Sequence, residues 1–257
     1  MSLIKTPEEI ERLRDGGAIL AKILRKVADF AKPGVSTMDL EKLARAEIEQ
    51  SGAQSAFEGY QMGDDYPPFP AVLCSSVDHE IVHGIPRGET VLREGQIIGL
   101  DLGIVYKGLY TDAAVTVGIG KISPEDATLI AKTREALGAG IAMVRAGNTL
   151  GDIGFAIQGV AKAAGLGIVR DLIGHGVGHE LHEKPDVPNY GKPGTLEELR
   201  SGMVIAIEPM FTRGDARVRI LKDGWTVVTA DGSQAAHFEH SVAVTETGHI
   251  ILTAQQP

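Results

Sequence analysis

Four carboxylates stand where β-strands would bury them. Asp101 lies between Leu100 and Leu102, Asp112 between Thr111 and Ala113, Glu208 between Ile207 and Pro209, and Glu239 between Phe238 and His240. An ionised carboxylate taken out of water is costly unless a cation compensates it. A turn near residues 106 to 108 places Asp101 and Asp112 opposite one another or one diagonal step apart, and parity puts both side chains on one face. Two like charges so placed either share a proton, as in an acid-protease dyad, or bind a metal. Four carboxylates from separate strands exceed what a dyad needs. Oxygen-rich coordination suits two hard or borderline divalent ions bridged by carboxylates.

A nitrogen ligand is available in Gly174-His175-Gly176-Val177-Gly178-His179-Glu180-Leu181-His182. Of its three histidines only His175 has glycine on both sides, where the backbone can bend closely round a site. His182 follows seven residues later. Other hydrolase and nucleotide signatures are missing: there is no Gly-x-Ser-x-Gly elbow and no phosphate loop, and His179-Glu180 is followed by Leu181-His182-Glu183, which does not make a His-Glu-x-x-His there.

The elements that must hold these residues come in a repeated order. Thr6-Pro7-Glu8-Glu9 reads as a capped helix start, apolar Ile10, Leu13, Leu20, Leu24 and Val27 mark one buried face, and Pro33-Gly34 ends the pattern. A second helix is expected from about Met38 to Gln50. Ser123-Pro124-Glu125-Asp126 then opens a third, expected to end near Ala146-Gly147, and a fourth runs from about Leu150 to Ala164. Gly34, Asp39 and Gly52 match Gly147, Asp152 and Gly165 at one offset of 113, which points to an internal duplication covering roughly residues 5–118 and 122–253. Strand-like sequence follows each helix pair. One hairpin is expected around Tyr106-Lys107-Gly108, and a second with strands from Val218 to Leu221 and Trp225 to Val228 flanking Lys222-Asp223-Gly224, where Asp-Gly is a two-residue turn signal. The order predicts an α+β fold, a single domain of two related halves around an antiparallel sheet.

Composition sets the frame. With 257 residues, 43% hydrophobic and 23% charged, the chain can bury one substantial core. Its formal charge of −9 repels phosphate backbones, so no direct nucleic-acid binding is expected. No apolar run resembles a signal peptide or a membrane span. A single cysteine, Cys74, excludes an intramolecular disulfide and suits a reducing compartment, so the expected location is cytoplasmic.

Taken together these segments resemble the type I methionine aminopeptidases over essentially the whole chain. The matching stretches are Ser76-Val77-Asp78-His79-Glu80-Ile81-Val82-His83-Gly84-Ile85-Pro86, the aspartates 101 and 112, Gly174 to Gly178, Gly202 to Met210, and Phe238-Glu239-His240. The resemblance implies the pseudo-symmetric pita-bread fold, with a curved sheet inside and helices outside. It implies two divalent ions, cobalt, manganese, iron or zinc: Asp101 on one, His175 and Glu208 on the other, Asp112 and Glu239 bridging both. His83 and His182 match two non-ligand histidines that contact substrate. Lys222 to Trp225 matches a further segment, and Cys74, Phe69, Leu181 and Trp225 would wall a methionine pocket. The expected activity is removal of initiator methionine ahead of a small second residue. A water between the ions would attack the scissile carbonyl while Glu208 relays its proton. The expected partners are the N-termini of nascent proteins and the ribosome, and the expected state is a monomer.

Two departures concern the pocket and its surroundings. Leu181 stands where relatives often carry an aromatic residue, and Asp78 replaces a common asparagine. The match around Phe69 is loose because residues 61 to 68 form a slightly longer stretch. The rival readings share the fold. A proline-specific aminopeptidase or prolidase usually carries an added N-terminal domain, for which a first helix starting near residue 7 leaves no space. A type II enzyme needs a helical insertion that the 25 residues between His182 and Glu208 cannot hold. Metal-free binding modules of this fold typically lose ligands, and this chain keeps all five.

Overall fold

Thr6 and Glu9 close the first turn of α1 (Pro7–Phe30) reciprocally, each side chain accepting the other's backbone N–H. Such a cap contributes about 1 kcal/mol. The computed structural model describes residues 3–61, 63 and 66–254; of the stretch 61 to 68, residues 62, 64 and 65 thus lie outside the description. After α1 come α2 (Thr37–Ser51), β1 (Gln54–Ser55), β2 (Cys74–Val77), β3 (Glu80–Val82), and the hairpin of β4 (Ile97–Tyr106) and β5 (Leu109–Gly118). The second half runs α3 (Pro124–Ile141), α4 (Leu150–Ala164), β6 (Gly167–Ile168), β7 (Gly174–Gly176), β8 (Glu183–Val187), β9 (Val204–Ile207) and β10 (Met210–Thr212). It closes with β11 (Val218–Ile220), β12 (Val227–Thr229), β13 (Ala235–His237), β14 (Glu239–Val244) and β15 (His249–Ile251).

Positions matched at offset 113 share local geometry. Gly34 and Gly147 have φ of +92° and +89°, and Gly52 and Gly165, at +75° and +67°, end α2 and α4 in the left-handed conformation. Asp39 and Asp152 each reach back to the N–H of their own N-cap, Ser36 and Thr149. The third helix differs from expectation, ending at Ile141 rather than near Ala146. Beyond it the bonds tighten to a three-residue spacing, Met143 N–H to Gly140 O and Val144 N–H to Ile141 O, after two glycines of low helix propensity, Gly138 and Gly140.

The main sheet, wholly antiparallel, has the order β1-β4-β5-β14-β9-β7-β8, with β2 also on β4 and β15 also on β14. Leu20, Leu24, Val27 and Leu40 of α1 and α2 pack with Ile98, Leu100 and Ile104 in one core. Leu129, Ile153 and Ile157 of α3 and α4 pack with Ile205, Ile207 and Val242 in another. Full burial of each such side chain contributes roughly 1.5–3 kcal/mol.

The two halves meet where β5 pairs with β14 at Ala114–Glu239 and Ala113–His240. Hydroxyls pin both ends of this short seam. Ser241 Oγ accepts the Asp112 N–H at 2.9 Å and donates to Asp112 O at 2.8 Å, and Thr116 Oγ1 does the same for the His237 N–H and carbonyl.

Candidate metal centre and substrate cavity

Register alone brings the candidate ligands to one face. Cys74 pairs with Asp101, Asp101 with Ala114, and Ala114 with Glu239, a single row across four strands. Asp112 lies two residues from Ala114 and faces the same way, one diagonal step from Asp101. Ser241 pairs with Ala206, and Gly176 with Ile205, so the same parity carries Glu208 and His175 onto this face. Lys107 and Gly108, both at positive φ, make the tight hairpin turn that sets the register of Asp101 and Asp112.

Three expectations are corrected here. Glu208 was expected within a strand but lies one residue beyond β9, before Pro209, which has no N–H to offer the ladder. His175 was expected in a bending, glycine-rich turn but occupies the centre of β7. Its flanking glycines serve close packing: a Cβ at Gly174 would lie 2.3 Å from Ala206 O, and one at Gly176 2.2 Å from Lys184 O. Trp225 was expected in a strand but sits in a turn longer than two residues, closed by the Leu221 N–H on Thr226 O. Asp223 holds that turn by accepting the N–H groups of Trp225 and Thr226.

His175 donates Nδ1–H to Gly176 O at 2.9 Å, which leaves the Nε2 lone pair facing Glu208 Oε1 at 3.5 Å. Asp112, His175 and Glu239 offer ligand atoms within 4.8 Å of one another, and Glu208, His237 and Glu239 do likewise. Burial, with the charges of Asp112 and Glu208, pushes Asp101 far above the usual carboxylate range. Burial, with Glu208, raises Asp112 to about 7, and burial alone raises Glu208 to about 8. Glu239 is driven well up by burial and by the three neighbouring acids, whereas burial keeps His175 neutral, at about 4. Asp101 Oδ1 and Glu239 Oε1 are buried and accept no hydrogen bond. Four mutually repelling carboxyls with lone pairs to spare, beside a neutral imidazole, fit divalent cations and disfavour anions.

The centre lies at the polar end of a cavity of about 360 Å³, which all eleven residues singled out in the sequence line. Its apolar end is a cluster of Phe57, Phe69, Cys74, Leu181 and Trp225, with Tyr60 at its margin. Trp225 meets Phe69 edge-on at 5.2 Å and His83 at 6.0 Å. His182 packs on His175 at 4.3 Å between ring centres, and its Nδ1 lies 2.6 Å from the Tyr60 hydroxyl. Burial holds His83 at about 4, and desolvation of the ring against the cavity wall, with the neighbouring His175, lowers the otherwise exposed His182 to about 3, so both are neutral near pH 7. Leu181 is buried in the apolar cluster, at 4% exposure.

Sequence reasoning missed Phe57, Tyr60 and His237. The first two belong to an irregular segment with no periodicity. His237 ends β13, two residues before Glu239 opens β14, and that spacing was the only signal for it; its buried Nε2 lacks a hydrogen bond and lies 3.6 Å from Glu208.

The family description "Metallopeptidase family M24" matches residues 11–246. A methionine aminopeptidase of Clostridium acetobutylicum is 46% identical over 253 residues, covering 98% of this chain and 99% of that protein. Methionine aminopeptidase 1 of Bacillus subtilis is 42% identical with the same coverage. The crystal structure of a methionine aminopeptidase from Thermotoga maritima superposes with a TM-score of 0.94 at 45% identity, over 98% of this chain and 99% of that one. A prolidase from Pyrococcus furiosus shares the fold, at a TM-score of 0.76 and 20% identity, and this chain covers 66% of it. The curved antiparallel sheet with helices outside is thus the pita-bread fold, and the chain belongs to metallopeptidase family M24, within its methionine aminopeptidases.

Proposed function

We propose that this protein removes the N-terminal methionine from nascent proteins whose second residue is small. The observation that carries this reading is the direct opening of a side-chain-sized apolar cavity onto a buried cluster of four carboxylates and an imidazole. Asp101, Asp112, His175, Glu208 and Glu239 would hold the divalent cations, the two aspartates from the first hairpin and the other three from the second half. Cations of the cobalt, manganese, iron or zinc class, once bound, supply Lewis-acid activation of water and an anchor for a free α-amine.

The remaining work falls to the chain's own side chains. Glu208, at the rim of the strand and between two neutral imidazoles, accepts and relays a proton. Tyr60 donates its hydroxyl proton to His182 Nδ1, so His182 presents Nε2–H as a donor to the developing oxyanion. His83, whose buried Nδ1 is unpaired, contacts the scissile amide. Phe69, Cys74, Leu181 and Trp225 receive the methionine side chain. The chain acts as one catalytic domain derived by internal duplication. It works as a monomer in the cytoplasm, on chains emerging from the ribosome; support for the compartment comes from its lone, buried cysteine.

Glu208→Gln and Asp112→Asn, assayed on Met-Ala-Ser with Mn(II), Fe(II) or Co(II), are expected to lose on the order of 100-fold or more in kcat. Wild-type turnover in both variants refutes the assignment. Hydrolysis of Ala-Pro-Ala in preference to Met-Ala-Ser refutes the specificity alone.

A further inference from the structure

Lys5 precedes α1 and reaches to the loop that carries Leu181 and His182. Its ammonium lies 2.6 Å from Glu183 Oε2, with only 1% and 9% of the two side chains exposed. The Lys5 N–H donates to Gly202 O at 2.8 Å, and Ile4 bridges to Met203, so the segment is tied down before the helix begins. The Lys5 stem crosses Gly178, where a Cβ would fall 2.5 Å from Lys5 Cε.

Glu183 turns its other oxygen to the loop. Oε1 accepts the N–H of His179 and, at 2.9 Å, that of Glu180. Residues 178–182 form no strand, so this carboxylate does for the loop what a neighbouring strand does elsewhere. Glu9 adds a second tie: its Oε1 lies 2.9 Å from His179 Nε2 while its Oε2 caps α1. Stability is a poor explanation for such a pair, because a buried ion pair is commonly no more stabilising than apolar side chains of the same size. Precision of placement is a better one.

We infer that Lys5 is a positioning residue for the reaction: through Glu183 it fixes the loop 178–182, and with it the place of His182 at the cavity. This rests on the assignment of His182 to the substrate.

A double-mutant cycle of Lys5→Met with His182→Ala, in metal-loaded enzyme on Met-Ala-Ser, tests it. Lys5→Met is expected to lower kcat on the order of 10- to 100-fold, the scale that a misplacement of about 1 Å exacts, with metal content and near-UV circular dichroism unchanged. In the His182→Ala background the same substitution is expected to cost less than about threefold, since no histidine remains to be misplaced. Lys5→Arg, which keeps the cation, is expected to recover most of the loss. Equal losses in both backgrounds, or a Lys5→Met enzyme within about threefold of wild type, overturn the inference. Should Lys5→Met fail to fold, Lys5→Gln, which removes the cation from Glu183 but keeps a polar end, serves in the same cycle with the same thresholds. His182→Ala at wild-type turnover would instead remove the substrate assignment, so the two failures are read apart.

Discussion

Tyr60 and His182 meet at 2.6 Å, and burial, with the charge of Glu180, raises the phenol so that it keeps its proton. With the hydroxyl donating and Nδ1 accepting, the ring N–H falls on Nε2, the tautomer that the proposed role of His182 requires. Tyr60→Phe leaves the apolar margin of the cavity in place but frees the tautomer. It is expected to lower kcat by about tenfold with little change in KM, the pattern of an interaction felt in the transition state. The substitution made in a His182→Ala enzyme should then be silent, and a persistent tenfold loss there would assign Tyr60 some other role. Cys74 illustrates the opposite case: its burial beside Asp101 and Asp112 raises the thiol's pKa well above normal, so it serves as a small apolar wall and not as a nucleophile.

Among the elements, the seam between β5 and β14 matters most, because each side supplies carboxylates to one centre. Only two residue pairs form its ladder. Ser241 extends it by one hydroxyl that satisfies both backbone groups of Asp112. Ser241→Ala leaves the buried N–H and carbonyl of Asp112, a proposed ligand, unpaired and is expected to destabilise the fold by about 1–3 kcal/mol. Because Asp112 then loses its anchor, affinity for Mn(II) or Co(II) is expected to fall by roughly tenfold or more. Calorimetric titration of metal into the variant reads this directly, and an unchanged affinity would show that β5 alone holds Asp112.

At the scale of the molecule, the first half contributes Asp101 and Asp112 and the second His175, Glu208 and Glu239, so the centre exists only in the joined fold. Burial raises the acids concerned. Asp112 at about 7 and Glu208 at about 8 in the folded chain compare with roughly 4 when unfolded. Between these limits the native state binds more protons than the unfolded one, so stability without metal falls as pH rises. Chelator-treated protein is therefore expected to melt at a lower temperature at pH 8 than at pH 5.5. Added Mn(II) or Co(II) is expected to raise the melting temperature, more so at pH 8, since the ions bind the deprotonated site of the native state. A metal-free protein more stable at pH 8 would contradict the burial of these carboxyls.

The order of helices, strands, helices and strands, the N-caps of α1 and α3, the hairpin register of Asp101 and Asp112, and the fit of the acids to cations were legible in the sequence. Each depends on local rules: a capping residue, a turn with positive φ, a period of two, and the cost of a carboxylate in an apolar strand. Methionine specificity was legible only through resemblance. The remainder depended on which strands become neighbours. The packing role of the glycines beside His175 follows from contacts with other strands, at Ala206 and Lys184. So do the tie of Lys5 to Glu183, 178 residues away, and the approach of Tyr60 to His182, 122 residues away. Local propensity carries no record of such distances; packing of the two halves decides them.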